Sequence, residues 1–200
     1  LQVVIVRTKR KTNYEEKMEK KIRTSGCAVG TVYGDIMDDF TSINLDKTTK
    51  IKTSWIYSIS KKVNTRPSLY LKAGALHGCV LCKNDIPLVY VEDVGRHNAV
   101  DAIAGHMWLN NIEGKGKIFY TTGRLTSEMV IKVAQMNIST LLSRSGITEM
   151  GLNVAIDTNV TLLGRAKGKH FLIYNGKENI KFDAKPEPRP DGASDVWKRR

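Results

Sequence analysis

Two hundred residues with 41% apolar content suit one domain with a single real core, or such a domain with tails. The net charge of +12 points to an acidic partner or a phosphate-bearing ligand, beside the simpler reading of solvated surface and basic tails. Three cysteines and no secretory apolar region argue for a reducing compartment, and no apolar run reaches the roughly 18 residues of a membrane span. A soluble, cytoplasmic protein is expected.

In chain order, 1–7 (L-Q-V-V-I-V-R) reads as a strand with nothing before it, which suggests that an N-terminal portion is missing or disordered. The polar stretch 13–22 has helix-forming composition. A small-residue loop follows, R-T-S-G-C-A-V-G over 23–30, with Cys27 between Gly26 and Gly30. Residues 33–40 fit a short helix or a loop equally. Trp55, Ile56, Ile59 and Val63 share one face of a helix beginning at Ser54. Pro67 punctuates the chain, and 69–82 follows with A-G-A-L-H-G at its centre.

From Ile86 the order becomes regular. A strand over 86–91 leads to a helix over 94–109, a strand over 118–121 to a helix over 126–136, and a strand over 140–143 to a helix over 148–157. Strands over 160–163 and 171–174 close the series. Such alternation requires crossover connections and predicts an α/β fold with a mixed sheet covered by helices. The Pro-rich stretch K-P-E-P-R-P-D-G from Lys185 cannot bury a core and is expected to be disordered. The domain reading is an opening strand and basic helix over 1–22, the main domain over 23–176, and a tail over 177–200.

Chemistry concentrates at strand ends. V-Y-V-E-D-V-G-R-H-N-A-V-D over 89–101 places Glu92, Asp93, Arg96, His97, Asn98 and Asp101 where a strand meets a helix. In α/β sheets ligand sites are built at that edge. T-T-G-R with Arg124, S-R-S-G with Arg144, and the turn Gly164–His170 each place basic residues and backbone N–H groups after successive strands, which suits a multi-phosphate ligand. No Walker or G-x-G-x-x-G signature is present. Cys27, in a flexible electropositive loop, has surroundings that favour thiolate. His77, Cys79 and Cys82 form H-x-C-x-x-C, a partial zinc or redox pattern that lacks a fourth ligand. Val80 and Leu81 between the cysteines instead suggest a buried helix, so no metal is expected.

E-D-V-G-R-H-N-A-V-D (92–101), G-R-L-T-S-E-M-V (123–130), S-R-S-G-I-T (143–148) and T-L-L-G-R-A-K-G (161–168) stand in an order that resembles the FdhD/NarQ family. A-G-A-L-H (73–77) and T-S-G-C-A-V-G (24–30) are similar to two further motifs of that family. The resemblance covers about 22–175. It implies a three-layer α/β/α fold, cytidine-deaminase-like, without the deaminase zinc chemistry. It also implies a sulfurtransferase that accepts persulfide sulfur from a cysteine desulfurase and passes it to the molybdenum bis(molybdopterin guanine dinucleotide) cofactor for formate dehydrogenase. Homodimers are expected.

By motif match Cys27 is the sulfur-carrying residue, and Arg165, Ala166, Lys167, Gly168, Lys169 and His170 form the cofactor-binding segment. Arg96, Arg124 and Arg144 join them as expected cofactor contacts. Glu92, Asp93, His97, Asp101 and His77 are expected to support the arginines or handle protons. Gly30 stands where the family has the second loop cysteine, and Cys79-x-x-Cys82 stands where it has small apolar residues. These cysteines could supply a resolving thiol if their segment faces the Cys27 loop. The alternatives are a cofactor-binding chaperone without sulfur transfer, a zinc deaminase, which would need a Glu beside the first ligand, and a nucleic-acid-binding module. Neither a nucleic-acid nor a membrane partner is expected.

Overall fold

The computed structural model describes residues 9, 21–24, 30–33, 43, 45 and 48–185. The opening strand, most of the 13–22 helix, the 33–40 segment beyond Tyr33, Cys27 and the stretch after Lys185 lie outside these. The chain divides into two compact units, Leu1–Ser42 and Ile43–Arg200. In the first, β1 (Lys21–Thr24) pairs antiparallel with β2 (Gly30–Tyr33), Thr24 opposite Gly30. The described end of the predicted 13–22 helix is therefore strand.

The second unit is organised on six strands in the order β5-β4-β6-β7-β8-β9. They are β4 (His77–Lys83), β5 (Ile86–Asp93), β6 (Lys117–Thr121), β7 (Thr140–Ser143), β8 (Thr161–Lys167) and β9 (His170–Asn175). The central trio β6, β7 and β8 is parallel, while β4 is antiparallel to both neighbours and β9 antiparallel to β8. Helices α3 (Arg96–Leu109), α4 (Ser127–Gln135) and α5 (Glu149–Asp157) make the crossovers. The α/β expectation with a mixed sheet is therefore met, and the helix ends shift by only one or two residues.

Period-2 alternation sends successive side chains to opposite faces of the sheet. Val80, Cys82, Ile118, Tyr120, Leu142 and Leu163 face α1 (Thr53–Thr65), which contributes Ile56, Ile59 and Val63 to one buried cluster. Cys79, Leu81, Phe119, Leu141 and Leu162, also fully buried, alternate to the other face, where α3 packs on β4 and β5. A strand covered on both sides carries an unbroken apolar run. That is why G-C-V-L-C, read above as buried helix, is strand: a short apolar run has no period of its own to distinguish the two. The two-residue turn Asn84-Asp85 then returns the chain as β5, with Asn84 in the left-handed region at φ 56°.

Helix α1 lacks an acidic residue in its first turn and a side-chain cap of its own. Asp183 supplies one from far along the chain: Oδ1 accepts from the Ser54 N–H at 2.9 Å and the Thr53 hydroxyl at 3.0 Å, and Oδ2 from the Ser54 hydroxyl at 2.7 Å. Just before it, β10 (Ile180–Lys181) pairs parallel with β3 (Ile51–Lys52). Residues 177–185, assigned to the tail in the sequence reading, thus belong to the fold because they complete the start of α1.

Candidate functional site

The register gathers the motif loops on one sheet edge. Antiparallel pairing puts the start of β4 beside the ends of β5 and β6, with His77 opposite Asp93 and Cys79 opposite Thr121. The ends of β6 and β7 lie level, Thr121 opposite Ser143. Backbone bonds then tie the loops to one another. Thr122 N–H donates to Gly78 O at 2.9 Å, Arg144 N–H to Thr121 O at 3.1 Å, and Arg165 N–H to Ser145 O at 2.9 Å.

Hydroxyls hold this edge rigid. Ser143 donates to Gly123 O at 2.6 Å and accepts from Ser145 N–H at 2.9 Å; Ser145 donates to Thr122 O at 3.0 Å. Thr121 Oγ1 accepts from Gly123 N–H at 3.1 Å, and Thr122 Oγ1 from Gly78 N–H at 3.0 Å. Thr121, Thr122 and Ser145 stand in the T-T-G-R and S-R-S-G loops read from sequence, but their bracing role was not assigned there. The signal available was the run of small hydroxyl residues at consecutive strand ends.

Two motif glycines make room for arginines. A Cβ on Gly123 would stand 3.1 Å from Arg96 Cδ and 3.4 Å from His77 Nδ1, and one on Gly146 would stand 3.4 Å from an Arg165 guanidinium nitrogen. Arg144 donates from Nη1 to Asn64 Oδ1 at 2.8 Å and to the Tyr70 hydroxyl at 3.2 Å, which turns it toward α1 and α2 (Leu69–Ala73). Arg96 is buried at the base of the site, while Arg124 and Arg165 are exposed. The four predicted arginines therefore occupy one edge of the sheet.

The 165–170 segment is not a simple turn. Strand β8 continues past its pairing with β7 through a bulge between Gly164 and Lys167, with Arg165 left-handed at φ 54°. Ala166 is fully buried in the α1-facing cluster, so its methyl packs the core and any part it takes in the expected binding segment falls to its backbone. Arg165, Lys167, Gly168 and Lys169 are exposed and His170 is half-buried.

The carboxylates of the E-D-V-G-R-H-N stretch organise backbone. Glu92 accepts from Leu69 N–H at 3.0 Å, Tyr70 N–H at 2.8 Å and the Tyr90 hydroxyl at 2.8 Å. Asp93 accepts from Gly95 N–H at 2.7 Å and from the Asn98 amide at 3.1 Å, closing a turn into α3. Asp101 pairs with Lys132 at 2.6 Å, and His97 Nε2 lies 3.0 Å from Glu128 Oε2. Glu128, in the first turn of α4, thus faces His97 of α3.

Both histidines are held below the ordinary imidazole range. For His77 burial comes first, then the charges of Arg96 and Arg124. For His97 burial also leads and Arg96 and Lys132 add to it, against the opposing pull of Glu128 and Asp101. At His77 the two guanidinium groups act in the same direction as burial.

Cys79 and Cys82 are fully buried, one donating to Thr121 Oγ1 at 3.3 Å on one face of the sheet and the other in the α1-facing cluster. Burial pushes each thiol up to about 12. With side chains on opposite faces, they can neither bridge nor share a metal with His77. No group of three or more His, Cys, Asp or Glu placed to hold a metal occurs among the described residues, and no helix among them is long and apolar enough to cross a membrane.

The chain is 30% identical over 161 residues to the sulfur carrier protein FdhD of Bacillus pumilus, covering 80% of this chain and 62% of that protein. It is 31% identical over 175 residues to the sulfur carrier protein FdhD of Wolinella succinogenes, covering 86% and 60%. The chain thus spans a little over half the length of these relatives. A crystal structure from Desulfotalea psychrophila, described as a formate dehydrogenase accessory protein, superposes with a TM-score of 0.66 at 30% identity, covering 84% of this chain and 74% of that one. The model of the FdhD/NarQ family matches residues 1–181, and the chain belongs to that family.

Proposed function

We propose that this protein is a sulfur carrier in formate dehydrogenase maturation. Cys27 receives sulfur from a cysteine desulfurase and delivers it to the molybdenum bis(molybdopterin guanine dinucleotide) cofactor, which is substrate here. Arg96, Arg124, Arg144, Arg165, Lys167, Lys169 and His170 bind and orient that cofactor. The observation that carries the reading is the convergence of the arginine loops on one rigid sheet edge, in a chain whose family relatives are named sulfur carriers. A ligand with several phosphates matches several guanidinium groups.

Thiol chemistry favours Cys27. A thiol pushed up to about 12 is thiolate in only about one molecule in 10^5 at neutral pH, which leaves Cys79 and Cys82 inert. In the proposed step the Cys27 thiolate attacks the outer sulfur of the desulfurase persulfide. The S–S bond breaks, the desulfurase thiolate leaves, and Cys27 carries the persulfide with no net oxidation or reduction. Release of sulfide then requires a second thiol. With a glycine rather than a cysteine at position 30 and Cys79 and Cys82 buried, a small cytoplasmic thiol fills that part and leaves a mixed disulfide on Cys27. The protein acts as a homodimer in the cytoplasm.

The test is the intact mass of wild type and Cys27→Ala after incubation with a cysteine desulfurase and free cysteine. One added sulfur, removed by reductant and absent from Cys27→Ala, is expected. Sulfur retained by Cys27→Ala overturns the assignment. Absence of sulfur on both proteins, with a guanine nucleotide still bound, turns the reading to a cofactor chaperone.

A further inference from the structure

Helix α2 is five residues long and buries none of them: Leu69 is 59% exposed and Leu71 45%. A helix this short is not stable by itself and depends on contacts from outside. Here those contacts are polar. Ser68 Oγ accepts from Leu71 N–H at 3.2 Å, Gly74 ends the helix in the left-handed region at φ 66°, and Glu92 takes the first N–H groups. Within the helix only Tyr70 is half-buried; its neighbours are exposed. The element therefore adds nothing to the core and holds one phenol in place.

Tyr70 and Asn64 close on one guanidinium. Arg144 Nη1 donates to Asn64 Oδ1 at 2.8 Å and to the Tyr70 hydroxyl at 3.2 Å, and its guanidinium carbon stands 5.9 Å from the centroid of the Tyr70 ring. These bonds use both Nη1 hydrogens. They leave the Nε–Nη2 edge, the planar fork that takes a phosphate through two parallel N–H···O bonds. The base of the side chain is fixed independently, because Arg144 N–H donates to Thr121 O at 3.1 Å. Asn64 stands in the last turn of α1, a helix that Asp85 pins through Ser58 at 2.7 Å and Lys62 at 2.8 Å.

The chemistry of the two acceptors matters as much as their position. An amide and a hydroxyl orient a guanidinium without offsetting its charge, as a carboxylate would. The Tyr120 hydroxyl, fully buried within reach of Arg144, Tyr70 and Asn64, stays neutral as well, because burial pushes it up against the pull of Arg144.

We propose that Asn64 and Tyr70 are positioning residues, a neutral clamp that holds the Arg144 guanidinium with its Nε–Nη2 edge turned to a phosphate of the ligand. Neither residue lies in the motifs that carry the family resemblance. The inference rests on the reading that the arginine edge binds a polyphosphate cofactor, and it names what orders one arginine of that edge before the ligand arrives.

The experiment is calorimetric titration of the full chain with inorganic pyrophosphate. The proteins are wild type, Asn64→Ala, Tyr70→Phe, Arg144→Ala, and each clamp variant combined with Arg144→Ala. Asn64→Ala and Tyr70→Phe should each weaken pyrophosphate about fivefold, the scale of ordering one long side chain on binding. Added to Arg144→Ala, neither should weaken it further, whereas residues acting only through the fold would cost the same in both backgrounds. Asn64→Asp should keep the thermal midpoint of the ligand-free protein and still weaken pyrophosphate, because its carboxylate offsets the charge it orients. Tyr70→Phe retains the ring and carries the test if Asn64→Ala does not fold. Wild-type affinity in Tyr70→Phe with wild-type circular dichroism, or an equal loss with and without Arg144, overturns the proposal. If Arg144→Ala weakens pyrophosphate while Asn64→Ala and Tyr70→Phe do not, the clamp falls and the arginine edge stands. If Arg144→Ala binds as wild type does, or folded wild type binds no pyrophosphate, Arg144 leaves the binding edge and the clamp falls with it. Persulfide loading of Cys27 is scored separately and decides only the sulfur step.

Discussion

Removing the Glu92 carboxylate should loosen the site from behind. Glu92 ends β5, and its two oxygens take the first N–H groups of α2 and the Tyr90 hydroxyl. Tyr70 in that helix in turn receives Arg144. Loss of a side-chain acceptor at a helix start costs about 0.5–2 kcal/mol. A charged acceptor with a third bond belongs in the upper part of that range, and partial solvent access holds it there. Glu92→Ala should therefore destabilise the protein by about 1–2 kcal/mol and lower its melting midpoint by about 2–8 °C for a chain of this size.

The pH dependence gives the sign. Burial pushes the Glu92 carboxyl up, but the bonds from Tyr70, Tyr90 and Leu69 outweigh it and leave the group below its ordinary 4.5. A depressed carboxylate contributes stability above its unfolded value and loses it as pH falls through the folded one. The gap between wild type and Glu92→Gln should be constant near neutrality and should close below about pH 4.5. Urea unfolding followed by circular dichroism at several pH values measures it. Tyr90→Phe combined with Glu92→Gln should cost less than the sum of the two single changes. A Glu92→Gln protein as stable as wild type at pH 7, or a gap that persists in full at low pH, refutes the reasoning.

Iodoacetamide should spare Cys79 and Cys82 in the native protein and label both after denaturation, because burial pushes their thiols up to about 12; mass spectrometry locates the adducts. Gly123→Ala sets a methyl 3.1 Å from Arg96 Cδ and should weaken nucleotide affinity more than it lowers the melting temperature. Replacing Arg165 and Lys167 together with Ala should weaken nucleotide binding and flatten its dependence on salt, read by titration at two ionic strengths. Asp183, held down to about 2 by the Ser54 N–H and hydroxyl and by Thr53, should keep the start of α1 protected until pH falls from about 4 toward 2. Hydrogen exchange at Ser54 should quicken over that window, and in Asp183→Asn it should be fast throughout.

Local pattern carried the parallel half of the fold, because each strand–turn–helix step from Ile86 onward shows its period and its Gly or Asn stop in a short window. The arginine loops were legible for the same reason: strand ends in an alternating chain fall on one edge whatever the rest of the molecule does. Three features were not, and each depends on a partner far away in sequence. Cys79 and Cys82 look helical until β5 and β6 flank them. The 177–185 stretch looks like tail until Asp183 meets the start of α1 across 129 positions. Whether Glu92 and Asp101 brace the arginines or handle protons was open in sequence, and their partners Leu69 and Tyr70, or Lys132, stand far off along the chain.

The placing of those acids has a physical consequence for the site. Carboxylates placed among the guanidinium groups would cancel the field that an anionic ligand needs. Here Glu92 is spent on helix α2, Asp93 on its own turn, and Asp101 on a lysine. The acids of the motif brace the edge while the arginines, with neutral His77 among them, keep its charge positive. A motif dense in both signs is thus divided by geometry into a scaffold and a binding surface. Only the binding surface should respond to charge-reversing substitutions through ligand affinity, whereas the scaffold should respond through stability.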